Sequence, residues 1–215
     1  MERLIQEIAE YIRSENRRLV IGISGHGASG KSTFAQKLIN NLEQNTINFI
    51  NTDIYIVDSY VRKHAFIDYE YENSQHREKM TACYPAAHHT FALERDVQMM
   101  RDGLDLYSIG SPYARSVLLS SEKKINIVEG MSVAFTNPEL YDLRIYLYTD
   151  SETEYMRRSV RDITERGMDP SFLKRTHNER RIQYELFMHP KHENFDLVIK
   201  NSNEEFSVEK GLKLV

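Results

Sequence analysis

Short apolar runs alternate along the chain with longer segments that carry apolar residues at helical spacing. Runs of strand length, which predict strands, lie at residues 19–23, 47–53, 104–109, 125–129, 143–148 and 195–199. Amphipathic segments, which predict helices, lie at residues 2–13, 34–42, 91–102, 151–166 and 170–188. Strands that alternate with helices form parallel sheets with helices packed against both faces. The pattern therefore predicts an α/β fold with an open, mostly parallel sheet in a three-layer α/β/α arrangement.

Residues 54–90 do not follow this alternation. They are poor in aliphatic residues and rich in tyrosine, histidine and charge, which favours a surface region of short helices and loops over core strands. Long segments of this kind often form lids or binding loops. His88 and His89 have no Cys, Asp or Glu at ligand spacing beside them, so cleft lining or solvent exposure is favoured over a metal site. The tail at residues 201–215 is assigned no role.

The composition argues against several classes of protein. The chain has 215 residues, the size of one domain, and no apolar run approaches the roughly 18 residues of a membrane-spanning helix. The first residues include acids and no apolar signal-peptide core, and the single cysteine, Cys83, excludes an internal disulfide framework. A net charge of −4 provides no general basic surface for nucleic acid. We therefore expect a cytoplasmic protein that binds neither membrane nor nucleic acid, with homo-oligomer formation left open.

Residues 25–32 match G-x-x-x-x-G-K-[ST], the phosphate-binding loop. A predicted buried strand precedes the match and a predicted helix follows it, which disfavours a glycine-rich turn with a chance lysine. Glycines let the backbone approach a phosphate, Lys31 supplies a cation, and the Ser32 hydroxyl can ligate Mg²⁺. The residues predicted to bind the nucleotide are Gly25, His26, Gly27, Ala28, Ser29, Gly30, Lys31, Ser32 and Thr33. The sequence therefore predicts that the chain binds a nucleoside triphosphate.

Two acidic residues, Asp53 and Glu129, stand at the ends of predicted strands. Ligands of open parallel sheets bind at the carboxyl ends of the strands, so we expect both carboxylates near the nucleotide. Asp53 suits the role of a base that accepts a proton from a substrate hydroxyl, or that of a partner for magnesium and its bound water. It fits an N-cap of the next helix equally well. Glu129 fits a carboxylate that holds Mg²⁺ or its water.

The predicted helix at residues 151–166 is unusually basic. Its arginines are Arg157, Arg158, Arg161 and Arg166. Residues four apart on a helix share a face, so Arg157 and Arg161 are expected to project together. A solvated charged helix is one interpretation, and a lid that presents guanidinium groups to phosphates is the other.

Taken in order, these motifs resemble the uridine kinase and phosphoribulokinase group of P-loop small-molecule kinases. The matching segments are residues 21–33, Thr52 and Asp53 with Tyr55, residues 127–130, residues 157–162 with 165–167, Pro190 and Lys191, and residues 195–199. The resemblance implies phosphoryl transfer from ATP, with Mg²⁺, to a hydroxyl of a small molecule. The acceptor side departs from it, because residues 83–91 and 112–116 lack the acidic motifs and the His-Ser-Arg that uridine kinases carry. Uridine or another nucleoside is therefore only one candidate acceptor.

The resemblance also implies roles for individual residues. The catalytic candidates are Asp53, as the base, with Lys31, Arg158 and Arg161. The implied metal ligands are Ser32 and Glu129, and the implied nucleotide-binding lid arginines are Arg157 and Arg166. The candidate acceptor contacts are Asp53, Tyr55, Tyr113 and Arg115.

We expect one kinase domain over residues 1–215, with a lid at about 151–188 and an acceptor-binding insertion at about 54–116. The first hypothesis is a metabolite kinase, a phosphotransferase with an alcohol group as acceptor. The second is an ATP-binding regulatory protein of the same fold without a functional acceptor site. The missing acceptor motifs favour the second, whereas Asp53 and the arginine helix oppose it. A GTPase is disfavoured because no guanine-reading Asn-Lys-x-Asp follows the late strands.

Overall fold

The computed structural model describes residues 1–110, 115–164, 167, 169–203 and 205–211. The helices of these residues are α1 (Glu2–Ser14), α2 (Lys31–Asn40), α3 (Ser59–Arg62), α4 (Thr90–Arg101), α5 (Ser151–Thr164) and α6 (Pro170–Gln183). The strands are β1 (Leu19–Ser24), β2 (Ile47–Asn51), β3 (Phe66–Tyr71), β4 (Ser74–Lys79), β5 (Leu106–Tyr107), β6 (Leu118–Leu119), β7 (Ile125–Glu129), β8 (Leu143–Tyr148), β9 (Leu197–Ser202) and β10 (Glu205–Lys210). A π-helical turn, Tyr184–Met188, continues α6.

The main sheet has six strands in the order β10-β9-β8-β1-β7-β2. Neighbouring strands pair in parallel, except that β10 pairs with β9 antiparallel. The register places Ile23 opposite Glu129, and Glu129 opposite Asn51. The carboxyl ends of β1, β7 and β2 therefore lie side by side at one edge of the sheet, which is where open parallel sheets bind ligands.

Each face of the sheet packs against its own set of helices. In β1, Leu19, Ile21 and Ile23 belong to the core shared with α1 and α2, whereas Val20 belongs to the core shared with α4. This alternation follows from the strand period of two, since successive side chains point to opposite faces. Helix α1 contributes Ile5, Ile8, Ala9 and Ile12, which share one face of the helix. The predicted α/β fold with a mostly parallel sheet and helices on both faces is confirmed.

The prediction of short helices and loops was wrong for part of residues 54–90. Strands β3 and β4 form an antiparallel hairpin that turns at Glu72 and Asn73, whose φ values are 49° and 59°. Two positive φ values match the tight turn that suits hairpin twist. The hairpin is mostly exposed and buries Tyr69, so it needs few aliphatic residues, and its apolar pattern is correspondingly weak.

Two other segments also differ from prediction. The run at residues 104–109 forms only the two-residue strand β5, which pairs with β6 outside the main sheet. The tail, to which no role was assigned, forms β10 at the edge of the main sheet. No helix in the part of the chain that the structure describes combines the length and apolar content that a membrane crossing needs.

Candidate active site

The glycine-rich loop joins β1 to α2 and forms one wall of a cleft of about 990 Å³. Two of its glycines are required by backbone geometry. Gly25 has φ 149°, and a Cβ there would lie 2.0 Å from the Leu147 carbonyl oxygen. Gly30 has φ 93°, and a Cβ there would lie 2.4 Å from Nδ2 of Asn201. The loop therefore fits its surroundings only with glycine at both positions.

Side chains from α5 and β9 hold the loop in shape. Arg157 donates from Nη1 to the carbonyl of Ala28 at 3.3 Å, and Asn201 donates from Nδ2 to the carbonyl of Ser29 at 3.0 Å. Ala28 has a positive φ of 66°, a strained conformation for a residue with a Cβ. Because C=O and N–H point in opposite directions in a trans peptide, these bonds also orient the loop amides. The result is a preformed cradle in which Gly27, Ala28 and residues 30–33 line the cleft.

His26 attaches the loop to the start of α5. Its Nδ1 donates to the carbonyl of Gly27 at 2.9 Å, and its Nε2 accepts the backbone N–H of Thr149 at 3.0 Å. These partners select the neutral tautomer with the proton on Nδ1. The ring also lies 3.5 Å from Glu154 and packs on Tyr184, with the ring centroids 4.4 Å apart. The loop match identified His26 only as a loop residue, because Thr149, Glu154 and Tyr184 are more than a hundred residues away in the sequence.

Polar groups of α2 and β2 surround the carboxylate of Glu129, the last residue of β7, at the sheet edge. It accepts the Ser32 hydroxyl at 3.1 Å and the side-chain amide of Asn51 at 3.2 Å, and Nζ of Lys31 lies 3.8 Å away. Glu129 is 1% exposed. Burial raises the pKa of its carboxyl group, although the Lys31 charge and the Ser32 hydrogen bond oppose this effect. Its carboxylate and the Ser32 hydroxyl are the hard oxygen ligands that suit Mg²⁺.

The predicted metal ligands, Ser32 and Glu129, suit an ion that takes few protein ligands. Among the described residues, no group of three or more His, Cys, Asp or Glu could hold a metal by itself. Magnesium bound with a nucleotide usually takes one or two protein oxygens and completes its shell with phosphates and water. Ser32 and Glu129 match that requirement.

Asp53 lines the same cleft, two residues beyond the end of β2. Its carboxylate does not cap the 3₁₀ turn that contains it, because Asn51 takes that role and accepts the backbone N–H of Asp53 at 2.8 Å. Helix α3 is capped by Asp58. The N-cap alternative for Asp53 is therefore excluded, and its exposed carboxylate faces the cleft without that structural task.

The described arginines of the predicted lid occupy different environments. Both Arg157 and Arg158 line the cleft. Arg158 is buried between Glu154 and Asp162, each 3.5 Å away, and its Nε has no hydrogen-bond partner among the described residues. Two of the predicted arginine contacts lie outside the described residues, namely the side chain of Arg161 and the whole of Arg166. Arg158 is therefore held in a buried ion network, whereas Arg157 contacts the loop directly.

The acceptor candidates are scattered. The Tyr55 side chain is fully buried, and its hydroxyl donates to Asp96 at 2.5 Å. Burial and this hydrogen bond raise the pKa of the Tyr55 hydroxyl. Arg115 is exposed outside the cleft lining, and Tyr113 lies outside the described residues. Of the described acceptor candidates, the structure brings only Asp53 into the cleft.

Several residues that line the cleft were not predicted from the sequence. Those that line the cleft are Ile56, Val57, Asp58, Ser59, Arg62, Ala82, Met131, Arg180 and Asn201. Asn201 stands near the carboxyl end of β9, so the rule that selected Asp53 and Glu129 could have found it. Arg62 lies in a segment without a recognisable motif, and no pattern in the sequence pointed to it.

Comparison with known proteins identifies the family of this chain. The family described as "Phosphoribulokinase / Uridine kinase family" matches residues 20–206. A uridine kinase from Macrococcus caseolyticus is 31% identical over 196 residues, covering 84% of this chain and 82% of that protein. A uridine kinase from Staphylococcus epidermidis is 26% identical over 197 residues, covering 86% of this chain and 88% of that protein.

A solved structure shares the fold at much lower identity. Phosphoribulokinase from Rhodobacter spheroides superposes with a TM-score of 0.59 at 15% identity, covering 86% of this chain and 71% of that chain. The family match spans most of the chain and confirms the resemblance seen in the motifs. The chain belongs to the phosphoribulokinase and uridine kinase family.

Proposed function

We propose that the protein is an ATP-dependent kinase that transfers the γ-phosphoryl group, with Mg²⁺, to a hydroxyl of a small metabolite. Family membership supports a kinase. The relatives are uridine kinases by name, which makes uridine the first acceptor to test. The observation that carries the proposal is the parallel register, which brings the phosphate-binding loop, Glu129 and the segment before Asp53 to one edge of the sheet.

The loop and its neighbours account for binding of the donor. The amides at the start of α2 and the Lys31 ammonium group would hold the β- and γ-phosphates. Ser32 and Glu129 would hold Mg²⁺, whose charge, when it is bound, neutralises the phosphate oxygens during transfer. Arg157 and Arg158 line the cleft and would add positive charge from α5. In this proposal residues 151–188 act as a lid and residues 54–116 provide the acceptor region.

Asp53 would act as the base. The acceptor hydroxyl oxygen bonds to the γ-phosphorus while the bond from that phosphorus to its bridging oxygen breaks. The hydroxyl proton passes to the Asp53 carboxylate, and ADP leaves. Asn51 accepts the Asp53 backbone N–H and so would hold the base at the cleft, while the described residues form no hydrogen bond with its carboxylate. Most of the rate enhancement comes from this positioning and from charge stabilisation.

A panel of acceptors tests the function. We expect ADP formation to be stimulated by at least one hydroxyl compound among nucleosides, sugars, sugar phosphates and hydroxy acids. Asp53→Asn should lower stimulated turnover by about 100-fold or more, as loss of a general base does, while ATP binding is retained. Glu10→Gln, the same carboxylate-to-amide change at an exposed residue of α1 outside the cleft lining, is the matched control and should leave turnover unchanged.

The buried position of Tyr55 and the exposure of Arg115 favour a second candidate, an ATP-binding regulatory protein of this fold. It predicts ATP binding with no acceptor stimulation in any arm of the panel. Full activity of Asp53→Asn with a working acceptor would refute Asp53 as the base.

A further inference from the structure

One stretch of the cleft wall comes from the chain that follows β2. It presents the apolar side chains of Ile56, Val57 and Ala82 together with the polar residues Asp58, Ser59 and Arg62, of which Arg62 is the one cation. Arg62 is the last residue of α3, nine positions after Asp53. Binding sites commonly combine an apolar wall with a few placed polar groups that fix the ligand's orientation. Arg62 therefore stands on the segment that also carries the proposed base.

The Arg62 guanidinium is anchored but not neutralised. Its Nε donates to the carbonyl of Val57 at 2.9 Å. In the described part of the chain it forms no ion pair with a carboxylate. The nearest acid along the chain, Asp58, uses its side chain to accept the backbone N–H of Tyr60 at 2.7 Å. The guanidinium is thus oriented by one nitrogen while its terminal nitrogens have no acidic partner among these residues.

The surroundings of Arg62 disfavour a bare charge. Arg62 is only partly exposed, and burial lowers the pKa of its guanidinium, with weaker opposite effects from Cys83 and Asp58. Removing a charge from water without a partner is unfavourable. A purely structural bond to the Val57 carbonyl needs no positive charge. An anion that enters the cleft would pair with the Arg62 charge and so best explains an arginine at this position.

We propose that Arg62 binds an anionic group of the phosphoryl acceptor, a carboxylate or a phosphate, so that preferred acceptors carry a negative charge besides the reacting hydroxyl. This rests on the proposed kinase function and narrows its substrate class. Guanidinium forms paired hydrogen bonds with either anion. The apolar wall beside Arg62 would contact the carbon skeleton between the anion and the hydroxyl.

Matched acceptor pairs test the charge requirement. Glycerate is compared with glycerol, pantothenate with its alcohol analogue, and sugar phosphates with the free sugars, with uridine as the neutral nucleoside. We expect kcat/KM for one anionic member to exceed that of its neutral analogue by about 10-fold or more, in line with a charge-assisted hydrogen bond. The carboxylate and phosphate arms of the panel identify which anion Arg62 binds.

Variants of Arg62 test whether this side chain causes the preference for anionic acceptors. Arg62→Met should raise KM for the anionic acceptor about 10- to 100-fold and leave KM for ATP unchanged, and Arg62→Lys should restore part of the loss. The Arg62→Gln variant has no charge, but its side-chain amide can still donate to the Val57 carbonyl. This variant replaces Arg62→Met in the test if the Met variant folds poorly. Arg13→Met is the matched control, because Arg13 is an exposed residue of α1 outside the cleft lining whose Nε also donates to a backbone carbonyl, that of Ala9 at 3.1 Å.

The outcomes separate this proposal from the function on which it rests. Preference for a neutral acceptor, with an unchanged KM in Arg62→Gln, overturns the role of Arg62 and leaves the kinase intact. A rise in KM for ATP instead of the acceptor also overturns it, because Arg62 would then contact the donor. No stimulation by any acceptor overturns the proposed function and, with it, the role of Arg62.

Discussion

Asn51 connects the two acids of the site through opposite ends of one amide. Its Nδ2 donates to Glu129, and its Oδ1 accepts the backbone N–H of Asp53. With the Asn51 amide in this orientation, each of the two hydrogen bonds joins a donor to an acceptor. The proposed metal ligand and the proposed base are therefore held by one side chain, and a shift of either acid is transmitted to the other.

At the same scale, the buried position of Glu129 predicts a pH dependence. Burial raises the pKa of this carboxyl group above its ordinary value of 4.5. A protonated carboxyl is a poor ligand for a hard cation. As pH falls, we therefore expect the apparent affinity for Mg²⁺ in the presence of ATP to drop at a higher pH than an ordinary glutamate would produce.

Magnesium titrations of ATP binding at a series of pH values measure this effect. Glu129→Gln should bind Mg²⁺ more weakly and should lose the component of the pH dependence that belongs to Glu129. Glu122→Gln, an exposed glutamate in the turn before β7, controls for net charge. A pH profile shared by wild type and Glu129→Gln would show that Glu129 is not the titrating ligand.

At the scale of elements, α5 and α6 meet the phosphate-binding loop at one buried network. Glu154 of α5 faces His26 at 3.5 Å, Arg158 at 3.5 Å and Arg181 of α6 at 3.4 Å. Burial favours the neutral acid, but the hydrogen bond with His26 and the nearby positive charge lower the pKa of Glu154. An ionised carboxylate thus links both α5 and α6 to the loop.

His26 variants test this link. His26→Ala should lower stability by about 2–3 kcal/mol, because it leaves a buried cavity and an unpaired N–H on Thr149, and it should raise KM for ATP. His26→Gln can replace the bond to Thr149, and His26→Asn can replace the bond to Gly27. Denaturant unfolding and ATP kinetics measure both effects, with exposed His64→Ala as the control. Wild-type KM for ATP in a folded His26→Ala would rule out the positioning role.

At the scale of the whole molecule, the features that could be predicted are those set by local pattern. The buried strands are continuous apolar runs, and the loop has a defined glycine spacing, so the sheet, the loop and the strand-end acids Asp53 and Glu129 were all predicted. The hairpin of β3 and β4 was missed because an exposed ribbon needs no apolar face. Strand β10 was missed for the same reason, since most of its residues are exposed at the sheet edge.

The roles of individual side chains were harder to predict than the fold. Tyr55 follows Asp53 by two residues, yet its side chain turns into the core and bonds Asp96. Arg62 reaches the cleft from the short helix α3, in a segment without a recognisable motif. Spacing along the sequence carries no information about such approaches, because they depend on how loops cross the sheet edge.

The cleft is lined by residues from α2, α3, α5, α6 and the end of β9, so ligand binding should stabilise the fold as a whole. At a free concentration 100 times Kd, a ligand that binds only the native state adds about 2.7 kcal/mol to the free energy of unfolding. For a chain of 215 residues this corresponds to a rise in Tm of roughly 5–10 °C.

Thermal unfolding with saturating MgATP measures that rise. Lys31→Met should abolish most of it, because the variant loses the cation closest to the proposed phosphate site. Lys37→Met removes an exposed lysine from the same helix, where Lys37 pairs with Glu2, and should keep the full rise. Equal rises in Lys31→Met and Lys37→Met would mean that ATP stabilises the protein from another site, and no rise in wild type would remove ATP as the donor.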